Sequence, residues 1–83
     1  MIYEDLFGYQ YQVQETLNSK LSTSGLLTYK VHVRSRDGDM WLPVSRFPSL
    51  RSRWWRTQEA GEKYLKDFAE KQNWKLIEED QHE

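Results

Sequence analysis

Apolar and polar residues alternate without a break from Leu27 to Arg34. Leu27, Tyr29, Val31 and Val33 lie on one side, and Thr28, Lys30, His32 and Arg34 on the other. A period of two belongs to a half-buried strand, and β-branched and aromatic residues suit its pleated surface. The strand is expected over Leu27–Arg36. Asp37-Gly38 follows at once. A type I′ turn needs positive φ at both central residues, and Asp-Gly tolerates it, so Met40–Val44 reads as the returning partner strand. A two-residue turn sets the register: Arg36 with Asp39, Ser35 with Met40, Arg34 with Trp41, Val33 with Leu42, His32 with Pro43, Val31 with Val44. Val31, Val33, Leu42 and Val44 would then share a buried face. Lys30, His32, Arg34, Arg36 and Trp41 would share the open one. Pro43 has no amide hydrogen to donate and belongs at a strand end or facing away from a central neighbour.

Tyr9 to Gln14 repeats the alternation, with Tyr9, Tyr11 and Val13 opposed to Gln10, Gln12 and Gln14, and the pattern can run on to Leu17. A helix over 9–21 competes, because Val13, Leu17 and Leu21 follow at steps of four. Asn18 to Gly25 is rich in Ser, Thr and Asn and reads as a loop. Phe47-Pro48-Ser49-Leu50 breaks the strand pattern. Thr57 is a good N-cap and Glu59 a favourable first-turn carboxylate for a helix from about Gln58 to Lys71. Its apolar stripe is Ala60, Tyr64, Leu65, Phe68 and Ala69. Glu59–Lys63, Glu62–Lys66 and Asp67–Lys71 are i,i+4 pairs with the acid first. Gly61 weakens that helix by about 1 kcal/mol relative to Ala, and would let Trp54, Trp55 or a strand come close. Gln72-Asn73 ends the helix, Trp74 to Glu78 reads as a last strand, and 79–83 as a frayed tail. The expected fold is α+β: one small two-layer domain over 1–83, with a three- or four-stranded antiparallel sheet in the order β-β-β-α-β and one helix packed on one face.

A chain of 83 residues buries somewhat more than ~60% of the surface its unfolded form exposes. Only 37% of residues are apolar and 14% are aromatic, so large rings, burying roughly 150–250 Å² each, must supply much of the core. The chain has no cysteine, which excludes a disulfide framework and a thiolate metal site. The start, Met1-Ile2-Tyr3-Glu4-Asp5, has acids where a signal peptide needs positive charge, and no apolar run approaches the ~18 residues of a membrane span. The expectation is a cytoplasmic protein with no membrane partner.

Charge is segregated. Between Lys30 and Arg56 seven basic residues stand against Asp37 and Asp39, leaving +5 on a chain of net charge −1. Trp41, Trp54 and Trp55 lie in the same stretch. Two candidate sites result. The first is the open hairpin face, where Lys30, His32, Arg34 and Arg36 project at steps of ~6.5–7 Å, close to the spacing of phosphates along a nucleic-acid backbone. Arg34 lies opposite Trp41 there, a cation–π pair. The structural alternative is a solvated sheet face with cross-strand pairs. The second site is Arg46 to Arg56. Arg46, Arg51, Arg53 and Arg56 bring planar forks that bind phosphate or carboxylate and stack on rings, and the segment leads into a helix N-terminus, whose free amides favour anions. Of the adjacent Trp54 and Trp55, one is expected to cap the core and the other to be exposed. The structural alternative pairs these arginines with the acids of the C-terminal helix and tail, Glu78-Glu79-Asp80 and Glu83.

Nothing in the sequence has the pattern of a catalytic centre. His32 reads as an exposed strand residue and His82 sits in the tail; neither has metal-ligand spacing. Asp37 and Asp39 suit a turn, and no serine has a nucleophile-elbow context. No cofactor is implied, and the expectation is a protein that is not an enzyme. Three strands followed by a helix, with Arg46-Phe47-Pro48-Ser49-Leu50 and then Thr57-Gln58-Glu59-Ala60 at the helix start, is broadly similar in architecture to the small arm-binding domains of tyrosine recombinases, which lay a sheet into the major groove. The likeness is one of element order and carries over no site residues. The leading expectation is nucleic-acid binding through the Lys30–Arg56 surface, DNA or RNA. The alternative is a protein-interaction regulator or inhibitor, of the kind a phage or mobile element encodes, docking the same Arg and Trp side chains on an acidic protein. A third reading pairs an exposed sheet edge, the Tyr9 or the Trp74 strand, with its twin in a homodimer.

Overall fold

The computed structural model describes residues 1–17, 27–38 and 40–78. The Asn18–Gly25 loop, the Arg36–Asp39 pair, His82 and the 79–83 tail lie outside them. The elements are β1 (Ile2–Glu4), β2 (Gln10–Leu17), β3 (Leu27–Arg34), β4 (Leu42–Pro43), α1 (Pro48–Arg51), α2 (Gln58–Gln72) and β5 (Lys75–Glu78). The strands form one antiparallel sheet in the order β4-β3-β2-β1-β5, and α2 packs against β2 and β3. The α+β architecture is as expected. The sheet has five strands because Ile2–Glu4, too short to show a period, adds one beside β2. No helix among the described residues is long and apolar enough to cross a membrane.

β2 and β3 pair along their whole length, from Gln10 opposite Arg34 to Leu17 opposite Leu27. The alternation in Tyr9–Gln14 is therefore a strand's, and the competing helix is not formed. Tyr11 and Val13 sit across from Val33 and Val31 on the side that α2 covers. With β3 on one flank and β1 on the other, β2 is interior, so the Tyr9 strand offers no edge for self-pairing. Of the two strands expected to offer one, only β5 lies at an edge.

The hairpin keeps its expected register but not its expected turn. His32 faces Pro43 and Val33 faces Leu42, and the Val44 amide donates to the Val31 carbonyl at 3.1 Å. Yet neither Asp37 nor Gly38 takes positive φ. The turn instead spans Ser35 to Gly38, closed by the Gly38 amide on the Ser35 carbonyl at 3.0 Å. With Arg36-Asp37 at its centre, a turn of ordinary negative φ suffices. The paired strands are correspondingly shorter than expected, β3 ending at Arg34 and β4 spanning only Leu42–Pro43.

The β1–β2 connection is organised by one carboxylate. Asp5 Oδ1 accepts from the Phe7 amide at 2.8 Å and the Tyr9 amide at 3.0 Å, and Oδ2 accepts from the Tyr11 hydroxyl at 2.8 Å. Gly8, at φ 90°, takes the left-handed position that closes the turn.

Thr57 caps α2, its Oγ1 accepting from the Ala60 amide at 3.2 Å. Gly61 is the close-approach point: a Cβ there would lie 3.0 Å from both a Val13 methyl and the Trp55 ring. The buried face is Gly61, Leu65 and Ala69, with Tyr64 and Phe68 half-buried, whereas Ala60, expected in the stripe, is exposed. None of the three i,i+4 ion pairs closes among the described residues. Glu62 reaches the Met1 amino group at 3.5 Å instead, because β1 brings the chain start beside the helix. Asn73 ends α2 at φ 60°, and the Trp74 amide returns to the Ala69 carbonyl at 2.9 Å.

Aromatic rings fill the core. Tyr11 stacks on Trp74 at 4.1 Å and 10°, and Phe47 meets Tyr11, Phe68 and Trp74 edge-on. Phe47 takes left-handed backbone, φ 59°, to aim its ring inward, and Leu50 of α1 is buried behind it. Two residues depart from the expected faces. Leu42 is 53% exposed, since β4 is an edge strand of two residues. His32 is only 7% exposed; it sits mid-sheet between Gln12 and Pro43, with its Nδ1 3.0 Å from the Lys30 carbonyl.

Burial pushes the Tyr11 phenol well above its ordinary pKa, helped by its hydrogen bond to Asp5 and by that carboxylate's charge. A phenol raised in the folded state contributes stability that is whole below the unfolded value of about 10 and is lost as pH climbs toward the folded one. Tyr11→Phe should cost about 1–2 kcal/mol at neutral pH through the lost hydrogen bond, and should flatten the alkaline fall in stability. Urea unfolding of both proteins across the neutral-to-alkaline range tests this; parallel pH profiles would refute the role given to Tyr11.

Candidate functional site

The eleven residues picked out from the sequence divide into three places. Lys30, His32, Arg34 and Trp41 belong to the β3–β4 region, and the first three alternate along β3 on the side away from α2, facing Gln14, Gln12 and Gln10 of β2. Arg36 and Arg46 lie at the far end of β3, beside Phe7 and Tyr9. Arg51, Arg53, Trp54, Trp55 and Arg56 lie at the near end, where Tyr29 and Trp55 exchange backbone hydrogen bonds of 2.8 Å in each direction. Tyr29 and Arg36 are seven residues apart, about 20 Å at a strand's rise. The exposed arginines thus form two clusters at opposite ends of β3, not one patch.

Three of the eleven serve the fold. Lys30 directs its ammonium group into the 51–53 segment, donating to the Arg51 and Arg53 carbonyls, the latter at 3.1 Å. Burial lowers its pKa. It satisfies the Arg51 carbonyl at the end of α1 and the Arg53 carbonyl just beyond it. His32 is buried. Trp55 is tied to β3 by its backbone, and its ring packs on Tyr64 at 5.4 Å and under Gly61. Trp55 packs against the core, as expected of one of the pair, whereas Trp54 lies outside that cluster yet is half-buried and not exposed.

Among the described residues the arginines mostly lack a carboxylate partner. Arg34 lies 4.6 Å over Trp41, its guanidinium donating to Gln10 Oε1, so the expected cross-strand stack forms. Arg36, Arg46, Arg51, Arg53 and Arg56 are exposed. Among the described residues the single ion pair is Met1–Glu62, so no described carboxylate clasps any of the five. Arg46 stands 5.7 Å from the rings of Tyr9 and Phe47, and Arg53 4.7 Å from Tyr64. Stacking fixes the plane of each guanidinium and leaves its edge donors open to an anion. Helix α2 begins beside the near cluster, but its first turn is already served by Thr57 and Glu59.

Sequence reasoning missed Leu6 and Phe7. They stand at the Asp5–Tyr9 turn, 86% and 72% exposed, and Phe7 shares a hollow with Arg36 and Arg46. The signal was present in Asp5-Leu6-Phe7-Gly8, an Asx-type turn that displays its central residues. No group of three or more His, Cys, Asp or Glu that could hold a metal ion occurs among the described residues. Comparison with known protein families, curated proteins and solved structures finds no match.

Replacing Lys30 by Met keeps the aliphatic stem and removes both bonds to the 51–53 carbonyls. The substitution is expected to cost about 1.5–3 kcal/mol, the range for hydrogen bonds to a charged group, and to speed amide exchange selectively over Arg51–Trp54. Exchange that stays at the wild-type rate there would show that Lys30 does not hold the arginine segment.

Proposed function

We propose that this protein is a non-catalytic binding protein that engages the nucleic-acid backbone through its two arginine clusters, Arg36 with Arg46 and Arg51 with Arg53 and Arg56. The observation that carries the reading is that all five guanidiniums are exposed and without a carboxylate partner among the described residues, on a chain that holds more acids than bases. Had the arginines served only surface pairing, α2 offered Glu59, Asp67 and Glu70 for it. Clusters about 20 Å apart span roughly six base pairs at 3.4 Å each, so one duplex can meet both. Arg34 on Trp41 offers a separate flat, positively charged platform on the sheet face away from α2. Lys30, His32 and Trp55 enter only as supports.

A second reading is favoured by one feature phosphates do not require: Met40 and Leu42 are 69% and 53% exposed beside Trp41. Apolar side chains next to Arg and Trp are what a protein-docking surface uses, and the partner would then be an acidic protein.

Each arginine that contacts a phosphate contributes ~0.7–0.9 to the slope of log K against log salt. Replacing Arg51, Arg53 and Arg56 together by Gln should therefore flatten the slope by about 2 to 3, measured by fluorescence anisotropy on a labelled oligonucleotide. An unaltered slope would end the backbone reading. Oligonucleotide affinity absent even at low salt, beside salt-sensitive binding to poly-glutamate, would favour the second.

A further inference from the structure

Two adjoining hollows open at the end of the sheet where β1 turns into β2. One, of about 390 Å³, is lined by Phe7, Tyr9, Ser35, Arg36, Asp37 and Arg46. The other, of about 210 Å³, reaches from Phe7 and Arg46 past the Asp5 carboxylate, whose oxygens are taken by two amides and the Tyr11 hydroxyl, to Phe47, Gln72 and Trp74. Phe7 and Arg46 belong to both and form the rib between them. The larger lies within the ~300–1,000 Å³ usual for small-ligand sites.

Its parts are held in place before any ligand arrives. Phe7 makes none of the ring contacts of the core, yet its backbone is fixed by Asp5 and by the left-handed Gly8. Arg36 runs its stem across Gly8, where a Cβ would come within 3.0 Å of Arg36 Cδ. Arg46 is braced against Tyr9 and Phe47. Two guanidiniums without a described carboxylate partner and an exposed ring therefore meet at one concavity. A bare phosphate would need no ring, and an apolar peptide would need no pair of guanidiniums. A nucleotide uses both: a flat base for Phe7 and a phosphate for Arg36 and Arg46. Asp37, on the rim, opposes a phosphate but can accept from a base's exocyclic amino group.

We infer that this hollow takes one unpaired nucleotide of a bound nucleic acid, its base on Phe7 and its phosphate between Arg36 and Arg46. The inference rests on the nucleic-acid reading above and adds a preference for a strand end or an unstacked base. A base inside a duplex keeps its faces against its neighbours and cannot present one to Phe7.

The test measures anisotropy of the full chain on a blunt duplex and on the same duplex with a short single-stranded end. Wild-type protein should favour the single-stranded end by about five- to tenfold or more, the scale of one base–aromatic stack. Phe7→Ala, whose side chain is mostly exposed, should abolish that preference and leave blunt-duplex affinity within about twofold. Equal wild-type affinity for the two duplexes, or a preference that survives Phe7→Ala, overturns the inference and leaves backbone binding standing. Failure to bind either duplex at low salt ends both readings. Phe7-dependent binding to poly-glutamate, with no oligonucleotide bound, gives the hollow to a protein partner and overturns it as well.

Discussion

The stack of Tyr11 on Trp74 holds the two layers together. Tyr11 is the second residue of β2, the middle strand of the sheet, and Trp74 follows the Asn73 cap of α2. Their contact pins the helix's C-terminal end to the middle of the sheet and delivers β5 to the edge of β1. Phe47 and Phe68 complete the cluster, so five ring contacts join β2, the segment before α1, α2 and the helix exit. Such pairs add roughly 0.5–1.5 kcal/mol each beyond their buried area, a sizeable share of the ~5–15 kcal/mol by which small domains are stable. The left-handed Phe47 is a strained conformation for a bulky residue. It persists because the cluster receives the ring.

The same packing shapes the surface. Asp5 gives its oxygens to the Tyr11 hydroxyl and to two backbone amides and makes no ion pair with Arg46. Tyr9 and Phe47 present ring faces to Arg46, and Tyr64 does so to Arg53. Arg46 and Arg53 are thus ordered by aromatic stacking, and no carboxylate among the described residues pairs with either. Lys30 spends its ammonium group on the 51–53 carbonyls and so fixes the backbone from which two of these arginines project.

Much of the fold was legible in the amino-acid order. Strict alternation identified β2 and β3, and Thr57 with Asn73 marked both ends of α2. The 31/44 to 33/42 register followed from hairpin geometry, although the turn that delivers it is of another kind. Elements too short to repeat a period left no trace: β1 has three residues and α1 four. For the candidate site, the local chemistry was readable and the placement was not. Arg34 over Trp41 is a direct cross-strand contact, and so it was foreseen. Lys30 bonds residues more than twenty positions away, and His32 is closed in by neighbouring strands; neither leaves a local signature.

Periodicity, caps and residue chemistry are local properties, repeated every two or every 3.6 residues, and they settled which stretches become strands or helix and that basic and aromatic groups gather in the middle of the chain. Which of those groups remain open to a ligand, and that they divide between the two ends of β3, depended on contacts between distant segments. The Tyr11–Trp74 stack, the Tyr29–Trp55 bridge and the Gly61 contact each join residues far apart in the chain. Side chains separated by tens of positions compete for the same interior space, and a linear pattern carries no record of which of them wins it.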